Sequence, residues 1–532
     1  MNTGKFHKNV ITGFVESAKR FSQRPALIVN DETISYEALA RRASNIAKTI
    51  VDNESKPAEV ASIFAYRSQT AYAGILGILS SGKGYVPLNP KFPIERTRRM
   101  LSLSKSNVIV VGKECLQNLK ELLTIADERF TIIFPDVADI VDLAKDYPQH
   151  KFISASDMST GSDLPDVPLV DPNSFAYILF TSGSTGIPKG VPVSQKSVVS
   201  YVKFISKNYS LSETDRFSQT FDLTFDLSVH DMFVCWENGA CLCCVPDKSV
   251  MAPAKFIKEK QISVWFSVPA VAMFADKMRM LKPNSFPRIR LSLFCGEALP
   301  ASLAAKWQKA APHSIIDNLY GPTEATIAIT KYRWDEEKSP EKCLNGIVPI
   351  GWVFEGQKAC IIDQNRNLAH TGASGELCLA GSQVTQGYLN NIEKTKEQFI
   401  TIPELGNDIW YKTGDSVKQD KDGCLYYLGR IDNQLQVLGY RVELGEIDST
   451  LRAVSGSEMA VSIGWPIEEG IAQGIVAFIC GGEAIRKSAI LEYCQKNLPD
   501  YMIPKEIHFV DSMPLNANGK IDRLELSKRL KG

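Results

Sequence analysis

Residues 177–194 read YILFTSGSTGIPKGVPVS: an apolar run that passes directly into ten residues, 181–190, made of Gly, Ser, Thr, Pro and Lys with one Ile. A short apolar run that stops at turn-forming residues reads as a buried strand. Glycines let the following backbone bend until several N–H groups converge on one anion. The hydroxyls of Thr181, Ser182, Ser184 and Thr185 add donors, and Lys189 adds positive charge. The stretch is therefore read as a phosphate cradle, with Gly183 and Gly186 as its bends. It is not a Walker A loop, because Lys189 precedes Gly190 and no Gly-Lys-Ser/Thr follows. A plain Gly/Ser surface loop is the competing reading. The position immediately after an apolar strand favours the cradle.

Outward from this loop, SFAYILF (174–180), ISVWFSVP (262–269) and IRLSLFCG (289–296) are further strand-like runs bounded by Pro or Gly. Between such runs lie helix-like segments, including SYEALARRASNIAKTIV (35–51) and PASLAAKWQKAA (300–311). Strands apolar along their whole length that alternate with helices predict an α/β protein of layered, mixed and largely parallel sheets with helices. The pattern changes over 408–432, where Asp422-Gly423 sits between two apolar runs as a hairpin turn. The remaining hundred or so residues carry their own helix and strand signals, AILEYCQKNL and PKEIHFV. The predicted organisation is a large domain over 1–431 and a small α+β domain over 432–532, hinged near Asp432.

Composition narrows the class. The 532 residues are 44% hydrophobic and 23% charged, with 60 Lys+Arg balanced by 60 Asp+Glu. A formal charge of zero argues against bulk electrostatic attraction to nucleic acid or to an anionic membrane. The N-terminus has no signal-peptide core and no stretch approaches a membrane span, so a cytoplasmic protein is expected. Twelve cysteines are scattered. Cys241 and Cys244 form C-x-x-C inside an apolar run without a second pair, which favours reduced buried thiols over zinc.

The phosphate-loop string resembles that of the ANL superfamily of adenylate-forming enzymes, which includes acyl-CoA synthetases, nonribosomal peptide synthetase adenylation domains and firefly-type luciferases. The resemblance continues in order: FDLSV at 225–229, similar to the acyl-binding strand motif; GEAL at 296–299; YGPTE at 320–324; GEL at 375–377; YKTGD at 411–415; GRID at 429–432; GYRVELGEI at 439–447; and NANGKID at 516–522.

The resemblance implies an enzyme that uses ATP and Mg²⁺ to activate a carboxylic acid as an acyl-AMP. A carboxylate attacking a phosphate brings two anions together, so charge neutralisation and positioning dominate such catalysis. By resemblance, residues 181–190 hold the outer phosphates and Glu324 holds the metal, a hard cation that prefers oxygen. Gly296, Glu297, Ala298, Asn318, Tyr320, Gly321 and Thr323 surround the nucleotide, with the Tyr320 ring against adenine. Asp415 is expected to accept from the ribose hydroxyls beside Arg430. Lys520 is the implied catalytic residue, bridging substrate carboxylate and α-phosphate. Asp432 is the implied hinge about which the small domain withdraws Lys520 and brings the Gly439 loop to the site for thiol attack.

Asp226 discriminates the substrate. In this family an aspartate here pairs with an α-ammonium, whereas a helix cap is its plain reading. The other implied pocket positions are Leu227, His230, Phe266, Leu293, Cys295, Leu319, Ile327 and Ala328. They describe an apolar site for a small neutral amino acid, with His230 either lining it or buried as a core residue. The set is similar to stand-alone prolyl-activating enzymes, and FCGEAL (294–299) resembles D-alanine:carrier-protein ligases. L-proline leads, with alanine next. Family members often carry His after the serine that ends the loop segment; here Gln195 follows Ser194. Because the sequence ends 12 residues after Lys520, the thiol is expected on a separate phosphopantetheinylated carrier protein. A CoA ligase and a catalytically inactive ATP-binding scaffold are the alternatives. Asp226 argues against the first, and intact Lys520, Glu324 and loop residues argue against the second.

Overall fold

The computed structural model describes residues 9–54, 56–183, 188–432, 434–437, 439–468, 471–481, 486–515 and 521–530. Among these, two large sheets form the body. One has seven strands in the order Lys151–Ile153, Thr131–Ile133, Val108–Val111, Val60–Phe64, Gly84–Leu88, Phe175–Thr181 and Lys189–Ser194. All neighbours are parallel except the last pair, which flanks the phosphate loop as a hairpin. The second has nine strands, six of them a parallel core: Ile315–Tyr320, Leu291–Phe294, Val264–Ser267, Arg216–Gln219, Cys241–Cys244 and Pro25–Val29. Strands buried on both faces explain the uninterrupted apolar runs.

The expected helices lie over Tyr36–Asn53 and Ala301–Ala310. Ser35 caps the first by accepting from Ala38 N at 3.2 Å, and Leu39, Ala43, Ile46 and Ile50 form its buried stripe. Trp236, Trp265 and Trp307 are buried in the core, and Trp236 Nε1 donates to Ala26 O at 3.0 Å, tying the N-terminal strand down.

A five-stranded antiparallel sheet follows, in which Ile409–Gln419 and Leu425–Arg430 pair across the Asp422-Gly423 turn. Beyond it, the C-terminal part has a four-stranded sheet that includes Gln434–Val437 and Tyr440–Glu443, and a three-stranded sheet of Ala460–Gly464, Ile475–Cys480 and Glu506–Val510. Helices Leu444–Ser455 and Lys487–Asn497 pack on them through Ile447, Leu451 and Ile490. Residues 225–229 do not form the expected strand: Asp222 accepts from Thr224 N at 2.9 Å, the chain turns, and Leu227–Val229 starts a helix. Cys241 and Cys244 lie in one buried strand as free thiols, as expected.

Candidate active site

The two large sheets, the antiparallel sheet and the docked C-terminal part converge on a cleft with three connected regions.

On the nucleotide side, a cavity of about 100 Å³ is lined by Gly296, Glu297, Ala298, Asn318, Tyr320, Gly321, Asp415 and Arg430. Tyr320 Oη donates to Asp415 Oδ2 at 2.5 Å, and Arg430 Nη1 donates to Asp415 Oδ1 at 2.9 Å. Burial raises the Asp415 carboxyl and Arg430 opposes the rise. Asn318 Nδ2 donates to Pro349 O at 2.9 Å, while its buried Oδ1 has no partner. An orphaned acceptor in an apolar slot suits an exocyclic amino group such as that of adenine. Gly321 is needed here because a Cβ would lie 2.6 Å from Ala328 Cα. Glu297 is clamped differently from expectation. It accepts from Ala270 N at 2.9 Å, at the start of helix Pro269–Lys277, and from Gly439 N at 2.6 Å. Burial pushes its carboxyl up to about 7.

On the acyl side, a second cavity of about 90 Å³ is walled by Asp226, Leu227, Cys295, Thr323 and Ile327, with Gly439 and Tyr501 at its C-terminal edge. Asp226 is buried at the start of a helix without capping it, and its Oδ2 accepts from Ile327 N at 3.3 Å. Ile327 sits at φ 71°, a costly conformation for a β-branched residue, and thereby turns its N–H onto Asp226. Burial pushes the Asp226 carboxyl up to about 6, and no cation pairs with it among the described residues. Of the other expected pocket positions, Phe266, Leu293 and Ala328 are buried, and Leu319 lines the nucleotide cavity. His230 begins a wide helical turn, His230–Val234. Its Nδ1 pairs with Tyr201 Oη at 2.7 Å, and its ring stands edge-on to Phe266 at 4.5 Å. Burial holds its pKa down at about 3, which favours the neutral form.

On the phosphate side, Ser184, Thr185, Gly186 and Lys520 lie outside the described residues. Those that flank them are engaged by the C-terminal part. Ser182 Oγ donates to Arg441 O at 3.0 Å and accepts from Glu443 N at 3.1 Å. Gly183 N donates to Glu446 Oε2 at 3.3 Å, and Lys189 Nζ lies 2.9 Å from Glu443 Oε1. Thr181 ends the strand with its hydroxyl unpartnered. Glu324 is fully buried; Tyr388 Oη donates to one oxygen at 2.8 Å and Arg441 Nη1 to the other at 2.9 Å. Its burial works to raise the carboxyl, but Arg441 and Lys189 outweigh it and hold the pKa at about 2. Both Glu324 oxygens are thus engaged within the protein, and a magnesium ion held there would draw its remaining ligands from substrate phosphates and water. Asp432 accepts from Arg430 Nε at 2.9 Å and from Gln434 N at 3.1 Å.

Sequence reasoning assigned no role to Arg96, Tyr388, Arg441, Glu443 or Glu446. For Arg441, Glu443 and Glu446 the charges within GYRVELGEI were the available signal; Arg96 and Tyr388 had none. Gln195, standing where relatives often have His, accepts from Val10 N at 3.0 Å as a buried structural residue.

Residues 14–389 match the family model of the AMP-binding enzymes, and residues 446–520 match that of the AMP-binding enzyme C-terminal domain. Tyrocidine synthase 3 of Brevibacillus parabrevis is 30% identical over 97% of this chain, and bacitracin synthase 3 of Bacillus licheniformis is 31% identical over 98% of it. The chain spans only 8% of the length of each of those two relatives. Among solved structures, the Vibrio cholerae adenylation domain AlmE in complex with glycyl-adenosine-5'-phosphate is 33% identical, with a TM-score of 0.90 over 100% of this chain and 99% of that one. No helix among the described residues is long and apolar enough to cross a membrane.

Proposed function

Because this chain belongs to the AMP-binding enzyme family, we propose that it activates a small neutral amino acid with ATP and passes the aminoacyl group to a phosphopantetheine thiol of a carrier protein. In the first step a substrate carboxylate oxygen attacks the α-phosphorus, the bond to the bridging oxygen breaks, and pyrophosphate leaves. In the second, the thiol sulfur attacks the acyl carbon, AMP leaves, and the thiol proton goes to solvent.

The observation that carries the reading is Asp226, a buried carboxylate that faces the acyl-side cavity with a backbone donor but no cation. A buried carboxylate is stabilised by a charged partner, and a substrate ammonium supplies one. In this reading each reactant has its own set of residues. Asn318 receives the adenine amino group, Asp415 and Tyr320 hold the ribose, and Ser182, Gly183 and Lys189 face the phosphates. Lys520 remains the proposed catalytic lysine and Asp432 the proposed hinge. A magnesium ion at Glu324 requires that Arg441 first withdraw. Twelve free thiols accord with a cytoplasmic setting.

Leu227, Cys295 and Ile327 give the cavity an apolar wall. The glycyl adenylate bound by the Vibrio relative favours glycine and alanine over the ring of proline. The test is amino-acid-dependent exchange of labelled pyrophosphate into ATP, run across the proteinogenic amino acids and D-alanine. Strong exchange with glycine or alanine supports the assignment, and a maximum with proline restores the sequence-based order. Exchange with plain carboxylic acids alone would end the amino-acid reading.

A further inference from the structure

Two cysteines that the adenylation chemistry does not use face each other across the antiparallel sheet. In the ladder between strands Gln357–Ile362 and Ser374–Gly381, Cys360 stands directly opposite Cys378. Directly opposed residues of an antiparallel pair have Cα atoms about 4.5 or 5.5 Å apart, and both spacings fall within the roughly 4.4–6.8 Å that a disulfide spans. Alternation along the strands sets the direction of the sulfurs. Ala359, Ile361, Leu377 and Leu379 occupy the face that packs against Tyr320. Cys360 and Cys378 fall on the other face, in a small cluster with Ile362, Ala380 and Trp410. There the Cys378 S–H donates to the Cys360 sulfur, and this contact, with burial, pushes the Cys378 thiol well up.

The two differ in access: Cys378 is fully buried and Cys360 only half-buried. An accessible sulfur poised beside a second one is the arrangement of an oxidisable thiol and its resolving partner. The other half-buried cysteines are placed differently. Cys343 Sγ donates to Ser339 O at 3.1 Å, and Cys480 Sγ donates to Asp511 O at 3.2 Å, with Val510 opposite Cys480 in its ladder.

We propose that Cys360 and Cys378 form a reversible oxidation site, at which a peroxide converts the opposed thiols into a cross-strand disulfide. The Cys360 sulfur attacks one peroxide oxygen, the O–O bond breaks, and water leaves with the Cys360 proton, so that Cys360 becomes a sulfenic acid. The Cys378 sulfur then attacks the sulfenic sulfur, the S–O bond breaks, and a second water leaves with the Cys378 proton. Two thiols are oxidised to one disulfide while one peroxide is reduced to two waters. Exchange with a small dithiol returns both cysteines to the reduced form. Resolution within the sheet stops Cys360 short of the sulfinic and sulfonic acids, from which it would not return. The bond lies on the face away from Tyr320.

The test treats the reduced full chain, freed of reductant, with hydrogen peroxide in small molar excess. The protein is then alkylated under denaturing conditions and mapped by peptide mass spectrometry. A Cys360–Cys378 disulfide is expected, with two of the twelve thiols lost and both recovered in dithiothreitol. In Cys378→Ser the resolving sulfur is gone, and Cys360 is expected to be labelled by dimedone and to go on to the sulfonic acid, which the parent does not accumulate. In Cys360→Ser, Cys378 should stay reduced. A disulfide through Cys343 or Cys480 instead overturns the proposal, as does sulfonic acid at Cys360 in the parent with Cys378 still free. Loss of no thiol from the parent at a peroxide dose that labels Cys360 in Cys378→Ser overturns it as well. If the serine variants do not fold, the peptide map of the parent decides alone.

Discussion

Arg96 and Glu446, 350 residues apart in sequence, form an ion pair of 2.6 Å whose side chains are 4% and 3% exposed. The pair joins helix Ile94–Ser104 to helix Leu444–Ser455. Removing one partner of such a buried pair strands the other charge and costs about 3–5 kcal/mol. Arg96→Met is therefore expected to loosen the docked C-terminal part and to slow aminoacyl transfer to a pantetheine thiol by at least about tenfold, given 1.36 kcal/mol per factor of ten. Pyrophosphate exchange should persist. Single-turnover transfer compared with steady-state exchange reads the two steps apart.

Asp226→Asn keeps the shape of the acyl-side cavity and removes its charge. Loss of a desolvated ammonium–carboxylate pair of about 3 kcal/mol corresponds to a KM about two orders of magnitude higher for the amino acid, with a much smaller change in kcat. Exchange kinetics with the preferred amino acid check this. A KM within threefold of the parent would remove Asp226 from substrate recognition.

The same residue predicts a pH dependence. With its carboxyl pushed up to about 6 by burial, Asp226 is protonated below that value and cannot pair with an ammonium. The amino-acid KM should rise as pH falls below about 6, approaching tenfold per unit, while Asp226→Asn should show no such inflection. The effect on folding has the opposite sign. A carboxyl with a raised folded-state pKa gives its full contribution below the unfolded value of about 3.9, and that contribution is lost as pH rises through about 6. Chemical denaturation across this window should show Asp226→Asn gaining stability relative to the parent as pH increases.

Gly439 sits at φ 87°, and a Cβ there would lie 2.7 Å from Val268 Cγ1. Gly439→Val therefore combines backbone strain with a clash against the large domain. Thiol transfer should fall much further than exchange, by about a hundredfold or more for a penalty near 3 kcal/mol. Equal losses in both steps would show that the residue serves adenylation instead.

His230 and Phe266 are buried edge-on to one another at 4.5 Å, and both were expected to line the acyl-side pocket. Phe266→Ala should cost about 3–5 kcal/mol of stability through the cavity it leaves. It should also move the exchange profile toward larger aliphatic amino acids. A profile that stays on the smallest substrates, in a variant that still folds by thermal melting, would place the size limit elsewhere.

Much of this architecture was readable from local signals. The strand Phe175–Thr181, the helix Tyr36–Asn53 and the Asp422-Gly423 hairpin each depend on periodicity or turn chemistry within about twenty residues. Asp226 was legible as a chemical oddity, a carboxylate among apolar neighbours. What surrounds it was not, because the strained φ of Ile327 that aims a donor at Asp226 has no local signature. The ion pairs on the phosphate side were equally hidden. Lys189 and Glu443 are 254 residues apart, and nothing local to the loop lysine points to Glu443 as its partner. The FDLSV segment was expected as a strand from its resemblance to a family motif, but Asp222 turns the chain just before it and Leu227 starts a helix.

The nine-stranded sheet also constrains the order of assembly. The strand Pro25–Val29 pairs with Cys241–Cys244, and the nearby Tyr36 Oη donates to Ala240 O, 204 residues on. The seven-stranded sheet draws only on residues 60–194. During synthesis, therefore, the N-terminal strand emerges with its antiparallel partner Glu32–Ser35 but long before its parallel neighbour exists, while the sheet encoded after it can already close. Contacts of such sequence separation form late and slowly. The edge of Pro25–Val29 that faces Cys241–Cys244 must then remain unpaired through roughly ten to forty seconds of elongation at about 5–20 residues per second. A nascent chain halted before residue 240 would hold a finished sheet beside an exposed, aggregation-prone strand.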